Sequence, residues 1–95
     1  MTRYDISCHN PLVVTVEVSP EAQRQIAKLT LTIRARVLAI VHRLEQWPDV
    51  SGAKPLRGAL AGHFRIRTGD WRIQFYVTGQ TLVIEKVGHR DGFYE

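Results

Sequence analysis

Three arginines, Arg65, Arg67 and Arg72, fall within the stretch HFRIRTGDWRIQFY at residues 63–76. Each guanidinium is a planar fork of donors that stays protonated near neutral pH and matches the oxygens of a phosphate or carboxylate. Residues 54–72 add Lys54 and Arg57, which makes five cations against the single carboxylate of Asp70, an excess of +4 that equals the whole chain's. A cluster of this kind can bind an anion and stabilise charge growing on it. It cannot easily take up a proton, because arginine is a poor base.

The elements that must position these side chains follow from period and punctuation. From His63 onward apolar residues recur every second position, and Gly69-Asp70 suits a two-residue reversal with glycine first. That turn sets Arg67 opposite Arg72, Ile66 opposite Ile73, Arg65 opposite Gln74 and Phe64 opposite Phe75. Phe64, Ile66, Ile73 and Phe75 then share one face, and Arg65, Arg67, Arg72, Gln74 and Tyr76 the other. Like charges directly opposed cost about 0.2–1 kcal/mol per pair, so folding alone gives no reason to choose Arg67 and Arg72 together. An anion between them would reverse the sign. The plainer reading is an ordinary solvated face with arginines splayed apart and their repulsion reduced by salt.

A second turn at Thr78-Gly79-Gln80-Thr81 leads into LVIEKVGHR. Continuing the same register places Glu85 beside Gln74 in the row of Arg65, with which it would pair, and Val87 next to Arg72. His89 comes one step beyond on the same face, and a bulge at Gly88 would turn Arg90 inward. His63 reads as a strand-entry residue, and Trp47 and Trp71 as packing.

Upstream, LVVTVEV alternates as a strand with Val14, Val16 and Val18 on one face. Ser19 as N-cap, Pro20 in the first helical position and Glu21 in the first turn open a helix that places Ala22, Ile26 and Leu29 on one side. The spacing of Ile33, Val37, Ile40, Val41, Leu44 and Trp47 predicts a second helix from Thr32 to Trp47, stopped by Pro48. PDVSGAKPLRGALAG reads as a loop. The order is β-α-α-β-β-β, an α+β fold in which an antiparallel sheet carries a helical hairpin on one face.

Ninety-five residues with 44% apolar content make one domain, residues 12–95, behind an N-terminal extension, residues 1–11. Cys8 is the only cysteine, so no internal disulfide can form, and Cys8-His9 in a polar tail is a poor metal site. No apolar run spans a bilayer and no cleavage pattern follows LVVTVEV, so the chain is expected to be soluble and unprocessed.

KPLRG, HFRIRTGDWRIQFYV and LVIEKVGHRDGFY, behind the helical hairpin that follows VSPEA, together resemble the RelE/ParE superfamily of toxins from bacterial toxin-antitoxin modules. For RelE-like members the resemblance implies a cytoplasmic, ribosome-dependent ribonuclease that cuts messenger RNA with basic residues on a concave sheet face and needs no metal or cofactor. It implies catalytic roles for Arg65, Arg67, Arg72, Arg90 and the near-terminal Tyr94, with His89 at a position where some relatives also have histidine. Lys54 and Arg57 match a loop that helps hold ribosomal RNA, and Gln74 joins them as an RNA-binding candidate. The partners implied are a cognate antitoxin, whose acidic residues would cover the arginine face, together with messenger RNA and the ribosome.

Cleavage by the RNA's own 2′-hydroxyl needs a proton acceptor, cations for the five-coordinate phosphate and a donor for the departing 5′-oxygen. Arginines serve the second need only, where some relatives place lysine at Arg65 or Arg67. His89 is the first candidate for the base and Glu85 the second. Tyr94 could orient or stack on a base, and in-line alignment without a strong base is another route. Two rival readings are a ParE-like inhibitor of DNA gyrase and a non-catalytic basic module that docks an acidic partner.

Overall fold

The computed structural model describes residues 14–93, so the N-terminal extension, Cys8, His9 and Tyr94 lie outside the described residues. Strand β1 (Thr15–Val18) leads into α1 (Pro20–Ala27) and α2 (Leu31–Arg43), followed by a short edge strand β2 (Lys54–Pro55), β3 (His63–Thr68), β4 (Trp71–Thr78) and β5 (Thr81–His89). The α+β class and the order expected from the sequence hold, with two additions. First, β1 pairs in parallel with β5, Val16 beside Leu82 and Val18 beside Ile84, so the sheet is mixed, in the order β1-β5-β4-β3-β2. Nearly the entire domain separates those two strands, and no local signal reveals such a pairing. Second, the loop contributes β2, which lays Lys54 beside Arg65 and Pro55 beside Phe64. Proline signals a break in sequence, yet an edge strand tolerates a residue that donates nothing.

Helix α1 starts where the sequence says it should. The Ser19 hydroxyl accepts the Ala22 N–H at 3.1 Å, and Pro20 occupies the first turn. The same hydroxyl donates to the Glu85 carbonyl at 3.0 Å, and the Gln25 side chain accepts the Val87 N–H at 2.6 Å. Thus α1 takes over backbone groups of β5 beyond the point where β1 ends. Helix α2 gives way at Leu44 to a 3-10 turn, Leu44–Gln46, short of the expected end at Trp47. Arg34, which the sequence leaves on a polar side, instead ties the helical corner: its guanidinium donates to the carbonyls of Ala27 at 2.8 Å and Leu29 at 3.1 Å.

The core lies between the helices and one sheet face. Ala22, Ile26, Val37, Ile40 and Leu44 pack there against Ile66, Ile73, Phe75, Leu82, Ile84 and Val87. Trp47 closes it edge-on against Phe64 and Phe75, at centroid separations of 4.8 and 5.3 Å. Removing the fully buried Phe75 side chain would cost about 3–5 kcal/mol. That rigidity is what fixes the opposite face.

Candidate nucleic-acid interface

The β3–β4 register is the one the sequence implies: Arg67 opposes Arg72, Ile66 opposes Ile73, Arg65 opposes Gln74 and Phe64 opposes Phe75. Gly69 supplies the reversal with φ of 61°, a value other residues reach only at a cost. Alternation sends Ile66, Ile73 and Phe75 into the core, and the arginines therefore emerge on the far side. Because β2 adds Lys54 beside Arg65, a second like-charged cross-strand pair joins the first.

These side chains line an open concavity of about 530 Å³, bounded by Gly52, Lys54, Arg65, Arg67, Gly69, Asp70, Arg72 and Arg90. Among the described residues that line it, five are cations and one is a carboxylate. Arg90 arrives from the 3-10 turn Arg90–Gly92 that follows β5, and its N–H donates to the Asp70 carbonyl at 2.8 Å, which joins that turn to the hairpin tip. Its guanidinium stands 3.8 Å from Asp70 Oδ1 and 3.6 Å from Asp91 Oδ1 in solvent-exposed pairs, a geometry that leaves the cavity's positive excess in place.

Gly88 explains how the turn is seated. A Cβ at that position would lie 2.9 Å from Phe93 Cδ1, so the ring rests on bare backbone beside Arg72, which opposes Gly88. Phe93 is buried, and the Lys86 ammonium sits 4.4 Å above its ring centroid. The turn that presents Arg90 is thereby held from both ends.

A bulge in β5 corrects the register expected for the second hairpin. Phe75 pairs with Ile84 but Gln74 with Lys86, which leaves Glu85 as the extra residue. Beyond it every side chain changes face. Val87 enters the core beside Ile73, Gly88 rather than Val87 stands next to Arg72, and His89 falls beside Trp71 on the other face from the arginines. Its ring meets Trp71 edge-on at 5.4 Å, and its Nδ1 accepts the Asp91 N–H at 3.2 Å. His89 does not line the concavity, and Arg90 reaches it through the 3-10 turn and not through a bulge at Gly88.

The histidine that shares the arginine face is His63, two residues before Arg65. Its Nδ1 lies 2.5 Å from Glu85 Oε1, and both side chains are about three-quarters buried, at 27% and 26% exposure. The Gln74 amide donates to the same carboxylate oxygen at 3.4 Å, and the Tyr76 ring stands 5.4 Å from the imidazole. Gln74 is only 5% exposed and works from beneath the surface, not as the direct RNA contact expected of it. Arg57, exposed at the head of the 3-10 turn Gly58–Leu60, stands outside the concavity's rim. The signal for the bulge was present: the buried residues of β5 run Leu82, Ile84, Val87, and the step of three breaks a period of two.

Among the described residues, no group of three or more His, Cys, Asp or Glu side chains could hold a metal ion, and no helix is long and apolar enough to cross a membrane.

Comparison with known proteins agrees with this fold. The family model for the ParE toxin of type II toxin-antitoxin systems, parDE, matches residues 16–92. Toxin RelG of Mycobacterium tuberculosis is 33% identical over 82 residues, covering 84% of this chain and 94% of that protein. The crystal structure of the RelBE2 toxin-antitoxin complex of the same organism superimposes with a TM-score of 0.73 at 34% identity, over 82% of this chain and 99% of the matched chain. The isolated Escherichia coli RelE toxin shares the fold, with a TM-score of 0.68 at 18% identity over 80% of this chain and 83% of that one.

Proposed function

The chain belongs to the RelE/ParE superfamily of toxins of type II toxin-antitoxin systems, and from that premise we propose that it is a ribosome-dependent endoribonuclease that cuts messenger RNA and so stops translation. One observation carries this reading: Lys54, Arg65, Arg67, Arg72 and Arg90 converge on a single open concavity. A phosphodiester bound there would meet donors on several sides. As the 2′-oxygen attacks, the phosphate gains charge, and preorganised cations favour that state over the ground state. Lys54, with Arg57 outside the rim, would hold ribosomal RNA. Tyr94, two residues beyond the Arg90–Gly92 turn, is proposed on the superfamily resemblance to orient a base of the message.

A cognate antitoxin is the second proposed partner, as in the RelBE2 complex, and its acidic side chains would compete with RNA for the arginines. The site of action would be the cytoplasm, where translating ribosomes are. The test is to express the chain briefly and map the 5′ ends of messages, then repeat the assay with purified protein, with and without ribosomes. Cuts that require ribosomes are the expected result. The ParE family match makes inhibition of DNA gyrase the second reading, and intact message together with blocked gyrase supercoiling would select it.

A further inference from the structure

We propose that His63, held by Glu85, is the catalytic base of this ribonuclease and that Tyr76 forms the wall against which the attacking nucleotide lies. The inference rests on the ribonuclease reading and assigns to it a function that arginines cannot supply, that of the proton acceptor.

A carboxylate only accepts hydrogen bonds, so in the 2.5 Å contact between His63 Nδ1 and Glu85 Oε1 the imidazole must donate from Nδ1. This fixes the tautomer. In the neutral imidazole the lone pair is then on Nε2, in a side chain that remains 27% exposed. The Gln74 amide donates to the same oxygen, 3.4 Å away, and so restrains the carboxylate as well. A base oriented by a carboxylate that is itself oriented is the arrangement general-base catalysis requires.

Position supports the same role. His63 and Arg65 are alternate residues of β3 on one face, so their backbones are separated by about 6–7 Å along the strand. That separation lets a phosphate engage the Arg65 guanidinium while the ribose on its 3′-linked side faces the imidazole. The charged and titratable groups around His63 are Glu85 from β5, Tyr76 from β4, Arg65 along β3, and Lys86 across from Gln74; the residue following β2 that meets His63 is the uncharged Leu56. The tilted Tyr76 ring, 56° to the imidazole, offers an apolar face for a base or ribose.

The step balances without a further reagent. The 2′-oxygen forms a bond to phosphorus, its proton passes to His63 Nε2, and the bond from phosphorus to the 5′-oxygen breaks. The departing 5′-oxygen takes a proton from water. A 2′,3′-cyclic phosphate and a 5′-hydroxyl are left, and the imidazolium returns its proton to solvent. Glu85 touches no reacting atom and is a positioning residue.

The experiment is single-turnover cleavage of message on ribosomes across the neutral pH range, using wild type, His63→Gln, His63→Ala and Glu85→Gln. Wild type should show a rate that rises with pH and then levels. His63→Gln should lose at least a hundredfold and its pH limb, with ribosome binding within twofold of wild type. Added imidazole should restore part of the His63→Ala rate, and Glu85→Gln should lose about tenfold with the limb displaced. Wild-type cleavage accompanied by near-normal rates and an unchanged limb in His63→Gln, or an inactive His63→Ala that binds ribosomes and ignores imidazole, would overturn the assignment while leaving the ribonuclease reading intact. No cleavage by wild type would overturn that reading and this assignment with it.

Discussion

The two ends of the polar sheet face are built on opposite electrostatic rules. Near the β3–β4 turn, Lys54, Arg65, Arg67, Arg72 and Arg90 line an open concavity whose lining, among the described residues, has the single carboxylate of Asp70. Two steps along, His63 and the Gln74 amide both meet the Glu85 carboxylate, at 2.5 and 3.4 Å. The first end gathers like charges around an opening that an anion could enter. The second end pairs a ring with a carboxylate and leaves each side chain about a quarter exposed. Binding an anion calls for several weakly redundant cations, whereas moving a proton calls for one group in one orientation, and a single strand, β3, supplies both by alternating its residues.

Substitutions can pull these two ends apart. The largest effect is expected from the Arg67→Ala, Arg72→Ala double variant, which should lose at least a hundredfold in ribosome-dependent cleavage while its circular dichroism stays native. Retention of cleavage would remove the anion-binding role. Gly88→Ala comes next. A methyl there meets the Phe93 ring, so thermal unfolding should report about 1–3 kcal/mol of destabilisation, with the Arg90 end impaired and the His63 end intact. Either arginine replaced singly should slow cleavage at least tenfold and flatten the salt dependence of RNA binding, as expected when one phosphate contact is lost. The smallest effect runs the other way: Arg67→Thr removes a like-charged pair and should raise stability by about 0.2–1 kcal/mol in urea titrations of the free toxin. A loss of stability there would mean that the opposed arginines are not in conflict.

How legible each end was in the sequence follows from how local its determinants are. The cationic end depends on one two-residue turn and strict alternation, and both are written within residues 63–76, so the pairings of Arg67 with Arg72 and Arg65 with Gln74 could be named in advance. The Ser19 cap and the apolar stripes of the helices were equally local. The proton-handling end depends on the bulge at Glu85, which exchanges the faces of everything after it. Missing it put His89 on the arginine face and made His63 look like a mere strand entry. The parallel seat of β1 against β5 and the edge strand at Lys54–Pro55 were hidden for other reasons: one is a pairing across almost the whole domain, and the other contains a proline that sequence rules treat as punctuation.

The extra residue in β5 serves the polar face of the sheet and not its core. Exchanging Glu85 for another side chain would remove a carboxylate yet keep the phase in which Val87 points inward. Excising residue 85 would instead restore an unbroken period of two from Leu82 through Ile84 to Val87, keeping Val87 beside Ile73 and Gly88 beside Arg72 while removing the carboxylate that His63 contacts. Either lesion spares the phase of the core and takes the same carboxylate from the imidazole, so what the added residue supplies is the reach of one side chain and not the packing of the strand.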